Sequence, residues 1–62
     1  MPVIRVEMFK RTLEQKKQLV KELTNAFVNT CGGNKDSIKI LITEVEESNW
    51  SSGGVLTSDK KN

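Results

Sequence analysis

Nothing in this sequence can staple a small fold. A chain of 62 residues buries only about 60% of the surface that its unfolded form exposes, so folds this short lean on disulfides, a metal or association with other chains. The single cysteine, Cys31, cannot close an internal bridge. With no histidine and one thiol there is no recognisable zinc spacing either. Association is what remains, and whatever fold forms here is expected to be completed by other subunits.

The periodicity says what that fold is. Residues 2 to 8, PVIRVEM, are rich in β-branched side chains. Ile4, Val6 and Met8 fall on one face, and Val3, Arg5 and Glu7 on the other, which predicts a strand. Thr12 followed by Gln15 matches a helix N-cap with a capping box, and Glu14 lies in the favourable first turn. From Leu13 the apolar positions Leu19, Val20, Leu23, Ala26 and Phe27 trace the stripe of an amphipathic helix, with Lys16, Lys17, Lys21 and Glu22 on a solvated face. CGGN at 31–34 supplies glycine for the C-cap. Cys31, in the last turn, reads as a small buried apolar residue rather than a nucleophile.

Residues 38 to 45, IKILITEV, predict a second strand. Ile38, Ile40 and Ile42 on one face and Leu41 on the other suggest burial on both sides. Strand, helix and strand make one β-α-β crossover, which pairs its strands in parallel with a right-handed connection. Two strands under one helix leave a bare face and two edges, again calling for other subunits. Beyond Glu44 the chain turns polar except for Trp50, and VLT after Gly53 and Gly54 suggests a short hairpin arm. The expected architecture is therefore α/β: a single β-α-β protomer, residues 1–62 as one domain, with a short C-terminal hairpin and 57–62 as a frayed tail.

Composition narrows the function. Ten Lys/Arg against eight Asp/Glu, well interspersed, give a net charge of +2, too mild to argue for nucleic acid. No apolar run approaches the roughly 20 residues that a membrane helix needs, and no secretory signal is evident, so a cytoplasmic location is expected. With histidine and tyrosine both absent, proton transfer falls to a carboxylate, a lysine, Cys31 or a terminal amine.

Pro2 is notable for that reason. Proline is tolerated at a strand's first residue, where its missing N–H costs little. A small second residue also lets methionine aminopeptidase remove Met1, and Pro2 would then present a free secondary amine able to act as a base. A terminal amine has an ordinary pKa of about 7.7 to 8.0, and burial beside cations lowers it toward neutrality.

Four pieces in order complete the reading: Met-Pro at the start, RTLEQK at 11–16, SIKILITEV at 37–45 and NWSSGG at 49–54. Together they resemble the 4-oxalocrotonate tautomerase family of the tautomerase superfamily over nearly the whole chain. The resemblance implies a β-α-β protomer assembled as a hexamer, in which the amino-terminal proline is the general base and no cofactor is used. It implies a small anionic substrate, as in conversion of 2-hydroxymuconate to its conjugated ketone in aromatic hydrocarbon catabolism. Carried over by position, Pro2 is the base and Arg11 binds the distal carboxylate. Lys39 stands where a second arginine is typical, and Trp50 where a phenylalanine is usual.

A base that abstracts a proton beside a carbonyl leaves negative charge on oxygen, so a cationic and otherwise apolar pocket is expected. Lys39 cannot offer the planar fork of arginine, which predicts weaker or shifted activity. The first loop reads MFKR where the family often reads LEGR; it lacks that glycine, and the stretch from Pro2 to Arg11 is one residue shorter than the family's. Two further readings stay open. One is a hydratase or dehalogenase relative in which Glu7, Glu44, Glu46 or Glu47 activates water. The other is a subunit of a mixed oligomer, lending Arg11 or Lys39 to a partner's site while its own proline is idle.

Overall fold

The computed structural model describes residues 2–60. Strand β1 (Val3–Phe9) leads into helix α1 (Leu13–Cys31), a 3₁₀ turn at Lys35–Ser37 and strand β2 (Lys39–Val45). β1 and β2 pair in parallel, in register from Val3 opposite Lys39 to Phe9 opposite Val45. This is the expected β-α-β unit with its strands in parallel.

The helix begins as its sequence dictates. Thr12 adopts extended backbone angles and its hydroxyl accepts the Gln15 N–H at 3.1 Å, while the Gln15 side chain accepts the Thr12 N–H at 3.0 Å. Both halves of the capping box are therefore present, satisfying two donors that have no partner within the helix. Thr12→Ala is expected to destabilise the fold by about 1 kcal/mol. Thermal unfolding of the variant beside the parent checks this. At the other end Gly32, at φ 79°, donates its N–H to the Val28 carbonyl at 2.8 Å and turns the chain out of the helix.

Alternation along the sheet divides its two faces. Ile4, Val6, Met8, Ile40 and Ile42 are half-buried on the helix side. On the opposite face Val3 and Leu41 are 51% and 52% exposed. The expectation that the second strand is covered on both sides is therefore not met within one protomer. Ile38 precedes β2 rather than belonging to it, closing the 3₁₀ turn with its N–H on the Lys35 carbonyl at 3.2 Å. It is also the sole buried apolar side chain among the described residues, 9% exposed. Cys31, expected to be buried, is exposed, and so is Leu13 at the start of the helix.

The overall dimensions agree with that incomplete core. The radius of gyration is 15.1 Å and the extents are 45 × 24 × 15 Å, whereas a compact chain of this length would have a radius near 11 Å. A two-stranded sheet with bare edges is marginal in water, and this shape leaves both edges and one apolar face uncovered by the described residues.

After β2 a 3₁₀ turn at Glu47–Asn49 carries the chain to a hairpin of β3 (Ser51–Ser52) and β4 (Val55–Leu56). Gly53 and Gly54 both have positive φ, 60° and 83°, which a two-residue hairpin turn of this hand requires and which glycine supplies without strain. Where a frayed tail is expected, Thr57–Lys60 form a further 3₁₀ turn. The last two residues of that tail, and Met1, lie outside the described residues. No helix among the described residues is long and apolar enough to cross a membrane.

Candidate active site

The four residues singled out from the sequence fall into two pairs. Pro2 sits one residue ahead of the β1 ladder, half-buried, and its carbonyl accepts the Lys39 N–H at 3.0 Å. Lys39 opens β2 directly opposite Val3, and its ammonium reaches the Asp36 carbonyl at 3.4 Å. These two residues thus share one end of the sheet, brought there by the parallel register.

Arg11 and Trp50 share the other end. Trp50 meets Phe9 edge to face, with ring centroids 6.0 Å apart and planes at 80°, a favoured aromatic geometry. The hairpin behind it is held by the Thr57 N–H, which donates to the Trp50 carbonyl at 2.8 Å. Trp50 and Phe9, with Glu7, Met8, Arg11 and Val45, line a cavity of about 220 Å³. Trp50 therefore both anchors its loop and forms a wall. The Glu7 carboxyl makes this cavity less purely cationic than expected.

One strand length separates the pairs. Val3 and Phe9 stand six residues apart on β1, which at about 3.3 Å per residue is roughly 20 Å. No small substrate touches both ends of one protomer. Any pocket that joins Pro2 and Lys39 to Arg11 and Trp50 must draw them from different subunits.

Arg11 is held by its backbone. Its N–H donates to Glu44 Oε2 at 3.0 Å, and its guanidinium Nη1 donates to the Phe9 and Lys10 carbonyls at 3.3 and 3.0 Å. The same Glu44 oxygen lies 3.3 Å from Lys16 Nζ. The Arg11 N–H, then the Lys16 ammonium, hold the Glu44 carboxyl below the usual carboxylate pKa. Lys16, expected on the solvated face, is instead this ion-pair partner. No group of three or more acidic, cysteine or histidine side chains among the described residues is arranged to hold a metal ion.

A protein-family model described as tautomerase enzyme matches residues 2–60, starting at Pro2. The chain belongs to the tautomerase family. Among curated tautomerase relatives, the probable tautomerase of Staphylococcus saprophyticus is 43% identical over 61 residues, covering 97% of this chain and all of the relative. The crystal structure of the 4-oxalocrotonate tautomerase homologue TTHB242 superposes with a TM-score of 0.90 at 33% identity, covering both chains completely. A heterohexameric 4-oxalocrotonate tautomerase from Chloroflexus aurantiacus gives a TM-score of 0.90 at 26% identity, over 98% of this chain and all of the other. Membership supports tautomerase or isomerase activity.

For a tautomerase, the residues that sequence reasoning underrated are Glu44 and Lys16. Glu44 follows Ile40 and Ile42 at the two-residue spacing of one strand face. A carboxylate on the helix-facing side of a strand calls for a partner, and that spacing was the available signal.

Proposed function

We propose that this chain is a cytoplasmic, cofactor-independent tautomerase. Its Pro2, freed by loss of Met1, ketonises an enol or unsaturated 2-oxo acid such as 2-hydroxymuconate. The Pro2 nitrogen takes the proton from the enol hydroxyl and returns it to a carbon of the conjugated chain, so the hydroxyl becomes a carbonyl and no atom is gained or lost. Lys39 sits beside the developing oxyanion and the adjacent carboxylate. Arg11 binds the distal carboxylate, and Trp50 closes the apolar wall. The working particle is a homo-hexamer in which each pocket takes Pro2 and Lys39 from one protomer and Arg11 and Trp50 from another.

The observation that carries this reading is the family match across residues 2–60, with Pro2 as its first residue. The chemistry is consistent with it. Preorganised cations aimed at an oxygen where charge develops stabilise the transition state more than the ground state. The test is an assay of methionine-free protein, its mass checked intact, against 2-hydroxymuconate and a monoacid enol. Turnover of neither would refute the proposal.

Lys39→Arg is expected to raise kcat/KM on the diacid several-fold, because arginine grips a carboxylate with two parallel hydrogen bonds where lysine offers a point charge. Steady-state kinetics on both substrates measure it. An unchanged rate would remove Lys39 from the site.

A second reading has its own support in the lysine at position 39 and in the likeness to a heterohexameric relative. In it the chain is a partner-dependent subunit. The native mass and activity of the chain purified alone decide between the two: an active hexamer favours the first, and an inactive or unassembled chain the second.

A further inference from the structure

We infer that Glu44 is a positioning residue for Arg11: its carboxylate fixes the Arg11 backbone beside the Trp50 cavity and so governs affinity for the substrate's distal carboxylate. This rests on the reading of Arg11 as the distal-carboxylate cation.

Glu44 occupies the penultimate position of β2, 33 residues from Arg11 in the chain. One carboxylate oxygen joins three elements there. It accepts the Arg11 N–H from the β1–α1 connection at 3.0 Å and pairs with Lys16 from α1 at 3.3 Å, while β2 supplies Glu44 itself. Arg11's other bonds are local, from Nη1 to the carbonyls of Phe9 and Lys10. They fold the side chain back on the end of β1 and the connection that follows it, and reach neither β2 nor the helix. The capping box orients Thr12, the next residue, with respect to the helix only. Glu44 therefore supplies the link that sets where Arg11 stands relative to β2 and the hairpin beyond it.

The ion pair alone would be a weak reason to single out this side chain. Lys16 and Glu44 keep 27% and 30% of their side-chain exposure, and pairs so open to water contribute little to stability. The bond to the Arg11 N–H is different in kind, because it orients a backbone, and small misplacements of a binding group are amplified in the transition state. The Arg11 backbone N–H, then the Lys16 ammonium and the more distant charge of Lys10, favour the ionised carboxylate and lower its pKa.

The test compares Glu44→Ala, Glu44→Gln and Arg11→Ala on 2-hydroxymuconate and on a monoacid enol, with native mass recorded for each variant. Glu44→Ala is expected to raise KM for the diacid about tenfold, the scale of one hydrogen bond to a charged group, with kcat/KM for the monoacid within about twofold of the parent. Glu44→Gln keeps an acceptor oxygen and should recover most of the loss. Should the alanine variant fail to assemble, Glu44→Met, which keeps the length of the side chain but gives the Arg11 N–H no oxygen to bond, takes its place in the comparison. Arg11→Ala should show the same selectivity for the diacid, and adding Glu44→Ala to it should change little further.

Equal losses on both substrates in the Glu44 variants, or no loss, beside a diacid-selective loss in Arg11→Ala would overturn the positioning role while leaving the function standing. If Arg11→Ala lacks that selectivity, or the parent turns over neither substrate, the reading of Arg11 falls and takes this inference with it.

Discussion

Holding Pro2 in peptide linkage abolishes its basicity, and a non-cleavable Gly-Ser extension ahead of it is expected to lower kcat/KM on 2-hydroxymuconate by about 10²- to 10⁴-fold, the usual contribution of a positioned base. The extension leaves every other side chain in place, so native mass and thermal unfolding should match the parent. The parent's kcat/KM should rise with pH through a single limb near neutrality, since the proposed mechanism needs the free amine. Pro2→Ala is a gentler perturbation, because alanine at the same position still ends in an amine. It should lose activity without reaching the floor set by the blocked chain. An extended protein that works at full rate would dismiss the terminal nitrogen from the mechanism.

The second large effect concerns mixing. With Pro2 and Lys39 at one end of the sheet and Arg11 and Trp50 at the other, the proposed assembly has the blocked chain and Arg11→Ala each lacking a different half of every pocket. Each alone should be nearly inactive on the diacid. Denatured together and refolded at equal amounts, they should recover about a quarter of the parental activity, because random assembly of a symmetric oligomer joins two intact halves in about one pocket of four. The same two proteins mixed after separate folding, without exchange, serve as the baseline. No recovery on co-refolding, with hexamers present, would mean that Pro2 and Arg11 reach a pocket from the same protomer.

Much of this molecule was legible before its structure, for local reasons. The helix start is written in Thr12 and Gln15, whose side chains meet the backbone within one turn. The hairpin is written in Gly53 and Gly54, which tolerate the positive φ the turn demands. What escaped depends on contacts between distant segments. The alternation that placed Leu41 opposite the isoleucines of β2 is present, yet no described element of the protomer covers that face, so Leu41 stands bare. Ile38 looked like the first strand residue by composition, but the 3₁₀ turn claims its N–H.

The candidate site divides in the same way. Pro2, Arg11, Lys39 and Trp50 could each be singled out, and the parallel register then settles which of them share an end of the sheet. Glu44 stood in the sequence as one of four carboxylates that could activate water, with nothing to tell it from Glu7, Glu46 or Glu47. Only the fold reveals that it faces Arg11 and Lys16. Glu7 was equally invisible as a residue of the cavity that Arg11 and Trp50 line, because that cavity forms only once Trp50 and Val45 are brought to the end of β1.

The elongated protomer with its one covered isoleucine has a thermodynamic consequence. Too little apolar surface leaves water within a single copy to offset the entropy of ordering its backbone. In the proposed hexamer, folding and association become one equilibrium, and resistance to heat or denaturant rises with the amount of protein in solution.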